Sequence, residues 1–249
     1  MGGLSLYGAL APIYDDWQSC DGMIPFAEVV RAKLEPALRA RAGERPLAFL
    51  DAGCGTGTLL CGLRAQHPDW RLAGVDGTDA MLAVAAGKPE SGTIAWARAD
   101  LQGLPFGARF DAAGCFYDTL NHLTQTAALE QALAGLAAVL RPGGMLYFDV
   151  TNEEGFPRWW RGRPHFAGDG WRMAIAMRFD ADRELGFADV EITRDGCGSQ
   201  RLALVERLFT RAAIRGALAA AGLQAVAEQP WSPFDGDLAG KTWWAARRA

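Results

Sequence analysis

A run of apolar residues from Leu47 to Leu50 stops at Asp51. Glycine then occupies three alternate positions, Gly53, Gly55 and Gly57, before apolar residues resume at Leu59. A strand, a tight turn and a helix start are the natural reading of that order. The turn leaves helix N-terminal amides facing whatever lies above it, and glycine lets a ligand approach the backbone with no Cβ in the way. Dinucleotide-binding folds share this much, and charge separates the two cases. A pyrophosphate on those amides would be repelled by Asp51, two residues before the first glycine, whereas a cation would be attracted. The spacing is also G-x-G-x-G, since the dinucleotide pattern would need its third glycine at Thr58.

A ligand with a cationic amine and a cationic sulfonium suits such a turn, and S-adenosylmethionine carries both. The rest of the chain supports a fold built around it. "PLAFLDAG" reads as a first strand, Gly57 to about Gln66 as a helix, "WRLAGVD" as a second strand, and Thr78 to Ala86 as a helix capped by Thr78. "GTIAWARAD" and "RFDAAGCF" read as the third and fourth strands. Thr124 to Leu140 is a helix with Leu129, Leu133, Leu136 and Leu140 on one side, broken by "RPGG", and "MLYFDV" is a fifth strand. Strands and helices alternating in this way predict a parallel sheet with helices on both faces, which binds ligands beyond the carboxyl ends of its strands. Asp51, Asp76, Asp100 and the segment "CFYD" all fall at such ends.

Two regions depart from the alternation. Before the first strand, Phe26, Val29, Val30, Leu34 and Leu38 recur at helical spacing, predicting a helix from about 22 to 41 after a short leader. From about 151 to 209, "WRMAIAMRFD", "LGFADVEITRD" and "QRLALVERLFT" show partial alternation between turn signals, as antiparallel strands of a cap would. The chain then returns to a helix from about Thr210 to Ala221, a sixth strand "GLQAVAEQ" and a last strand "KTWWAAR".

Composition excludes several classes. The 249 residues are 50% hydrophobic and 22% charged, enough for one sizeable core and too apolar for disorder. A net charge of −4 argues against nucleic acid, whose affinity rests on Lys and Arg neutralising phosphates. No run of residues is apolar and long enough to span a bilayer, and "MGGLSLYGALAP" lacks the basic start of a secretion signal, so the expected location is the cytoplasm. Five cysteines without a C-x-x-C pair fit reduced, buried thiols.

These motifs resemble the class I S-adenosylmethionine-dependent methyltransferases from about Tyr14 to Arg248. "LDAGCGTG" matches the family's glycine-rich motif; "GVDGTDAML", "ARADLQGLPF", "FDAAGCFYDTLNHL" and "VLRPGGMLYFDV" are similar to its later ones. The resemblance implies a Rossmann-like sheet of seven strands, mostly parallel with the last antiparallel, and a small antiparallel β cap. Four parts follow from it: an N-terminal lid and helix (1–45), a cofactor-binding core (46–150), a substrate cap (151–209) and the C-terminal part of the core (210–249). It implies S-adenosylmethionine as cofactor, S-adenosylhomocysteine as product, and cofactor contacts from Asp51, Gly53, Cys54, Gly55, Gly57, Asp76, Gly77, Met81, Asp100, Leu101, Cys115 and Phe116. Asp76, 19 residues past Gly57, would hold the ribose hydroxyls, and Asp100 the adenine amino group between Met81 and Leu101.

"YGALAPIYDDW", "DTLNHL" and a β-rich insertion look most like bacterial small-molecule N-methyltransferases, which implies Tyr14 and Tyr7 as a lid over the cofactor. No Asn/Asp-Pro-Pro-aromatic tetrapeptide follows the fourth strand, which sets base methylation in DNA aside. Asp118, Asp149 and Asn152 do not match the metal-dependent pattern, so no metal is expected. His122 is the one well-placed base, or else a helix cap. Tyr117, Asp118, Asn121, Trp159 and Trp171 are candidates for the acceptor site. The expected partner is a small molecule met by a monomer or homodimer, without nucleic acid or membrane. An O-methyltransferase with His122 as base, a non-catalytic binder of the same cofactor, and a nicotinamide-dependent oxidoreductase are the alternatives.

Overall fold

The computed structural model describes residues 2–20, 23–42, 45–231 and 240–249. Its sheet is built from the alternation seen in the sequence: β1 (Ala48–Ala52), α4 (Thr58–Gln66), β2 (Arg71–Asp76), α5 (Asp79–Ala86), β3 (Ala95–Arg98), β4 (Phe110–Cys115), α6 (Thr126–Val139) and β5 (Leu140–Thr151). After an insertion, α8 (Arg211–Ala220), β10 (Leu223–Trp231) and β11 (Lys241–Arg248) complete it. The strand order is β10-β11-β5-β4-β1-β2-β3. β1 pairs in parallel with β2 and β4, and β11 runs antiparallel to both β5 and β10. The order reverses at β1, so a crevice opens beyond the ends of β1 and β4, where doubly wound sheets take their ligands.

Every residue of β1 and β4 is buried, as expected of central parallel strands covered on both faces. On one face α6 and α8 contribute Leu129, Leu133, Leu136, Ile214 and Leu218 to the core. On the other, α3 (Phe26–Ala42) and α4 contribute Val30, Leu34, Leu38, Leu60 and Leu63.

The leader, to which the sequence pattern assigned no secondary structure, is helical: α1 (Gly2–Leu10), a 3₁₀ turn at Ala11–Ile13 and α2 (Tyr14–Ser19) precede α3. Helices this short are marginal in water. Here Leu6, Leu10, Ala11 and Ile13 are buried in a third cluster with Trp160, Trp171, Met173 and Val190 of the insertion. The insertion holds α7 (Gly155–Trp159) and a second, four-stranded antiparallel sheet in the order β6 (His165–Gly168), β7 (Trp171–Asp180), β8 (Leu185–Arg194) and β9 (Gly198–Arg207). No helix among the described residues is long and apolar enough to cross a membrane.

One local expectation is corrected. Thr78 stands at the start of α5, but its side chain makes no capping bond. Its amide is held from the strand side, where Asp76 Oδ1 accepts from it at 2.8 Å.

Candidate functional site

The turn after β1 has the conformation its glycines allow. Gly53, Gly55 and Gly57 have φ of +81°, +52° and +72°, values that side-chain-bearing residues adopt only with strain. The amides of Gly53 and Cys54 both donate to the carbonyl of Val75, at 2.8 and 2.9 Å, tying the turn to β2. A Cβ on Gly55 would meet open space, so this glycine borders the cavity, while a Cβ on Gly57 would meet the Trp96 ring at 2.5 Å. Gly57 therefore serves packing and helix entry, and it does not line the cavity as the resemblance had implied.

Asp51 is 4% exposed, and among the described residues its carboxylate accepts no hydrogen bond. It borders a cavity of about 320 Å³ together with Gly53, Cys54, Gly55, Tyr14, Phe116 and Tyr117. Burial, and then the nearby charge of Asp76, push its pKa up to about 7. A buried acid left without a donor is costly unless a partner arrives, and an ammonium group is the partner that satisfies both its charge and its lone pairs. The turn thus fits the amino-acid end of S-adenosylmethionine.

A second cavity, about 480 Å³, adjoins it along the ends of β2 and β3. Asp76, Gly77, Met81, Asp100, Leu101 and Phe116 line it. The Asp76 oxygens accept from the amides of Gly55 at 3.0 Å and Thr78 at 2.8 Å. Burial raises the Asp76 pKa, and these two bonds work against that rise. A carboxylate offers about four acceptor sites, so each oxygen keeps capacity for a ribose hydroxyl. Asp100 Oδ1 accepts from the Gln102 amide at 2.8 Å, which turns the aspartate along the cavity wall. Cys115 is fully buried among Leu50 and Phe148 in the core and lines no part of the site, contrary to its implied role.

The third cavity, about 510 Å³, lies between α1, α2 and the second sheet. Its walls are apolar, from Leu6, Trp17, Trp160, Phe166 and Met173, and its floor carries Tyr7, Asp118, Glu206 and Lys241. Tyr14 and Tyr117 border all three cavities, so they stand where these spaces meet.

The loop that carries Tyr117 and Asp118 is strained, with φ of 60° and 58° at non-glycine positions. Polar contacts hold it in place. Asp149 Oδ1 accepts from the Tyr117 amide at 2.7 Å, and the Lys241 ammonium donates to Asp118 at 2.5 Å and Asp149 at 2.9 Å. Thr151 Oγ1 also donates to Asp118, and Gln18 Nε2 donates to the Tyr117 hydroxyl at 2.9 Å. Although burial disfavours its charge, Lys241 keeps its proton firmly because two carboxylates face it. Asp118 and Asp149 are thus occupied by an ammonium, and the Asn152 side chain bonds Thr242 and the amides of Glu154 and Gly155. Among the described residues no group of three His, Cys, Asp or Glu is placed to hold a metal ion.

His122 caps no helix. Its Nε2 shares a 2.9 Å hydrogen bond with the Tyr7 hydroxyl, and Nδ1 is buried without a hydrogen-bond partner, 3.5 Å from Glu206 Oε1. Burial lowers its pKa to about 4, so the ring is neutral near pH 7. Two acceptor-site candidates are corrected. Asn121 is fully buried and its amide is consumed: Nδ2 donates to the carbonyls of Thr151 and Arg207, and Oδ1 accepts from the Thr151 amide. Trp171 is buried in the third cluster with its Nε1 donating to Asp16, while Trp159 does line the cavity. Lys241 and Glu206 were missed. A signal for the second was present, since Leu202, Leu204 and Glu206 alternate on β9, all facing the cluster or cavity, and the third of them is an acid.

The geometry can be set beside known proteins. Residues 49–144 match the methyltransferase domain family. A putative methyltransferase of Geobacillus sp. (strain WCH70) is 32% identical over 139 residues, 55% of this chain and 50% of that protein. The dTDP-3-amino-3,4,6-trideoxy-alpha-D-glucopyranose N,N-dimethyltransferase of Streptomyces venezuelae is 29% identical over 143 residues, 57% of this chain and 54% of its own length. The matches thus span about half the length of these curated relatives. The solved structure of SAM-bound CalS10, an amino pentose methyltransferase from Micromonospora echinaspora involved in calicheamicin biosynthesis, has a TM-score of 0.74 at 24% identity. It covers 95% of this chain and 97% of that one, a likeness that speaks for the fold.

Proposed function

We propose that this chain is a class I S-adenosylmethionine-dependent methyltransferase and that it transfers a methyl group to an amine nitrogen of a small molecule. The observation that carries the reading is the buried, unpaired carboxyl of Asp51 beside the left-handed glycines, with Asp76 at the end of the next strand. Asp51 would hold the ammonium of S-adenosylmethionine, Asp76 its ribose hydroxyls, and Asp100 with Met81 and Leu101 its adenine. When bound, that cofactor supplies a methyl group on a cationic sulfur, an electrophile with a strong leaving group.

The protein's own tasks are then alignment and exclusion of water. Tyr14 and Tyr117 border both the cofactor cavities and the acceptor cavity, and α1 and α2 close the site from above. Fixing nucleophile and methyl in line can lower the barrier by up to ~7–11 kcal/mol. Nitrogen is favoured over oxygen because an ammonium ion gives up its proton to a modest base, whereas an alcohol, far less acidic, needs a strong one. Among the described residues, the one histidine bordering the cofactor space, His122, has a pKa near 4 and is a poor base. The Streptomyces venezuelae relative, an N,N-dimethyltransferase of an amino sugar, points the same way.

Calorimetry with S-adenosylhomocysteine tests the cofactor site. Asp76→Ala should weaken binding about tenfold or more, since hydrogen bonds to a charged group contribute ~1.5–3 kcal/mol each. An unchanged affinity would remove Asp76 from the site. Mass spectrometry and NMR of a product formed with labelled cofactor test the acceptor atom, and an O-methyl product would replace the nitrogen reading with a base-assisted one.

A further inference from the structure

Arg158 and Arg161 line the acceptor cavity, but its carboxyl-rich floor holds a single ammonium. Three carboxyl groups, Asp118, Asp149 and Glu206, gather around one ammonium, Lys241, which is already bonded to the first two. Glu206 is the remainder. It is 6% exposed, it lines the cavity, and among the described residues its carboxyl accepts no hydrogen bond; His122 Nδ1 lies 3.5 Å from its Oε1. The groups facing it are His122, Tyr7, Tyr117, Asp118, Asp149 and Lys241. Lys241 is the only cation among them, and it is held elsewhere.

We propose that Glu206 is the acceptor-binding residue of this cavity, receiving the ammonium group of a small organic amine with an apolar body and taking its proton before methyl transfer. The proposal rests on the reading of the chain as an amine methyltransferase. The aromatic walls formed by Trp17, Trp160 and Phe166 would cover the apolar body. Burial, then the charges of Asp118 and Asp149, raise the Glu206 pKa against the opposing pull of Lys241, which moves the carboxyl toward an amine in proton affinity. The acceptor enters as R–NH₃⁺ and gives one proton to the Glu206 carboxylate. The freed nitrogen lone pair forms the N–C bond as the C–S bond breaks and its electron pair goes to sulfur. The product leaves as the N-methylammonium ion, and the proton on Glu206 returns to solvent.

The test uses the full chain saturated with S-adenosylhomocysteine, titrated calorimetrically at pH 7 with benzylammonium and with benzyl alcohol. The wild type should bind the cation at least tenfold more tightly than the alcohol. Glu206→Gln, which keeps the side chain's shape, should abolish that preference and leave S-adenosylhomocysteine affinity unchanged. Equal affinity for the two probes in the wild type, or a preference that survives in E206Q, overturns the proposal. Should E206Q not fold, titrations of the wild type from about pH 5 to about pH 8 decide. Benzylammonium affinity should rise with pH as Glu206 ionises while benzyl alcohol affinity stays level, and a cation affinity that does not rise overturns the proposal. Failure of S-adenosylhomocysteine to bind would instead strike at the methyltransferase reading, since the two probes can still be compared without it.

Discussion

Asp51 carries the most consequential shifted acid at the cofactor turn, with its pKa raised to about 7 by burial and then by Asp76. An incoming ammonium favours the ionised form, so binding must draw a proton off Asp51 wherever it is still protonated. Affinity for S-adenosylhomocysteine should therefore rise as pH increases from about 5.5 to 7.5 and level off above. Asp51→Asn should flatten that dependence and weaken binding throughout. Calorimetry across pH checks the sign, and an affinity that falls toward pH 7.5 would mean that another group governs the site. His122 makes the opposite case. With a pKa near 4 it already lacks its proton at pH 7, and its one bond is to Tyr7. His122→Ala should cost no more than about tenfold in turnover, against the ~10²–10⁴ that loss of a general base brings. Stopped turnover in a variant that still binds both ligands would make His122 the base.

The N-terminal helix α2 is the element whose order depends most on the rest of the molecule. α2 has six residues and no side-chain cap, yet it is fastened on two sides. Asp15 accepts from Thr56 Oγ1 at 2.6 Å and pairs with Lys88 at 2.7 Å, joining α2 to the glycine turn. Asp16 accepts from Trp171, and Trp17 packs edge-on against Phe166 at 5.9 Å, joining it to the second sheet. The exposed Asp15–Lys88 pair adds little by itself. Trp171, buried and bonded, adds more: Trp171→Ala should lower stability by about 3–5 kcal/mol in denaturant unfolding. Trp159→Ala acts on the cavity wall and should change acceptor binding with a smaller loss of stability. A Trp171→Ala protein within about 1 kcal/mol of wild type would show that the second sheet does not depend on this anchor.

At the scale of the whole molecule, Lys241 joins segments far apart in the chain. It starts β11, bonds Asp149 on β5, and bonds Asp118 in the strained loop after β4. Replacing it with methionine leaves the buried Asp149 and the partly buried Asp118 without their cation, which should cost about 3–5 kcal/mol. Neutralising all three groups at once, as D118N, D149N and K241M together, should recover much of that loss. Equilibrium unfolding of both variants checks it, and a single variant as stable as wild type would mean that the cluster is not held by charge. The same network places Tyr117 at the meeting of the three cavities, so the single substitution should also weaken ligand binding.

The local pattern of residues was sufficient for the sheet and for the conformation of the glycine turn. Strand-to-helix alternation, three glycines that must adopt positive φ, and acids at strand ends depend on neighbours a few residues away, and periodicity records such constraints directly. The leader could not be read this way, because short helices without caps owe their order to burial against a sheet some 150 residues later in the chain. Nor could the fate of the polar candidates. Asn121, Trp171 and Cys115 are of types that line sites, and only packing decided that one became a clamp, one an anchor and one core. Lys241 and Glu206 were invisible for the same reason. Their roles arise from charges on separate strands brought within a few ångströms in a low-dielectric floor, an energy that no stretch of sequence contains until the chain has folded.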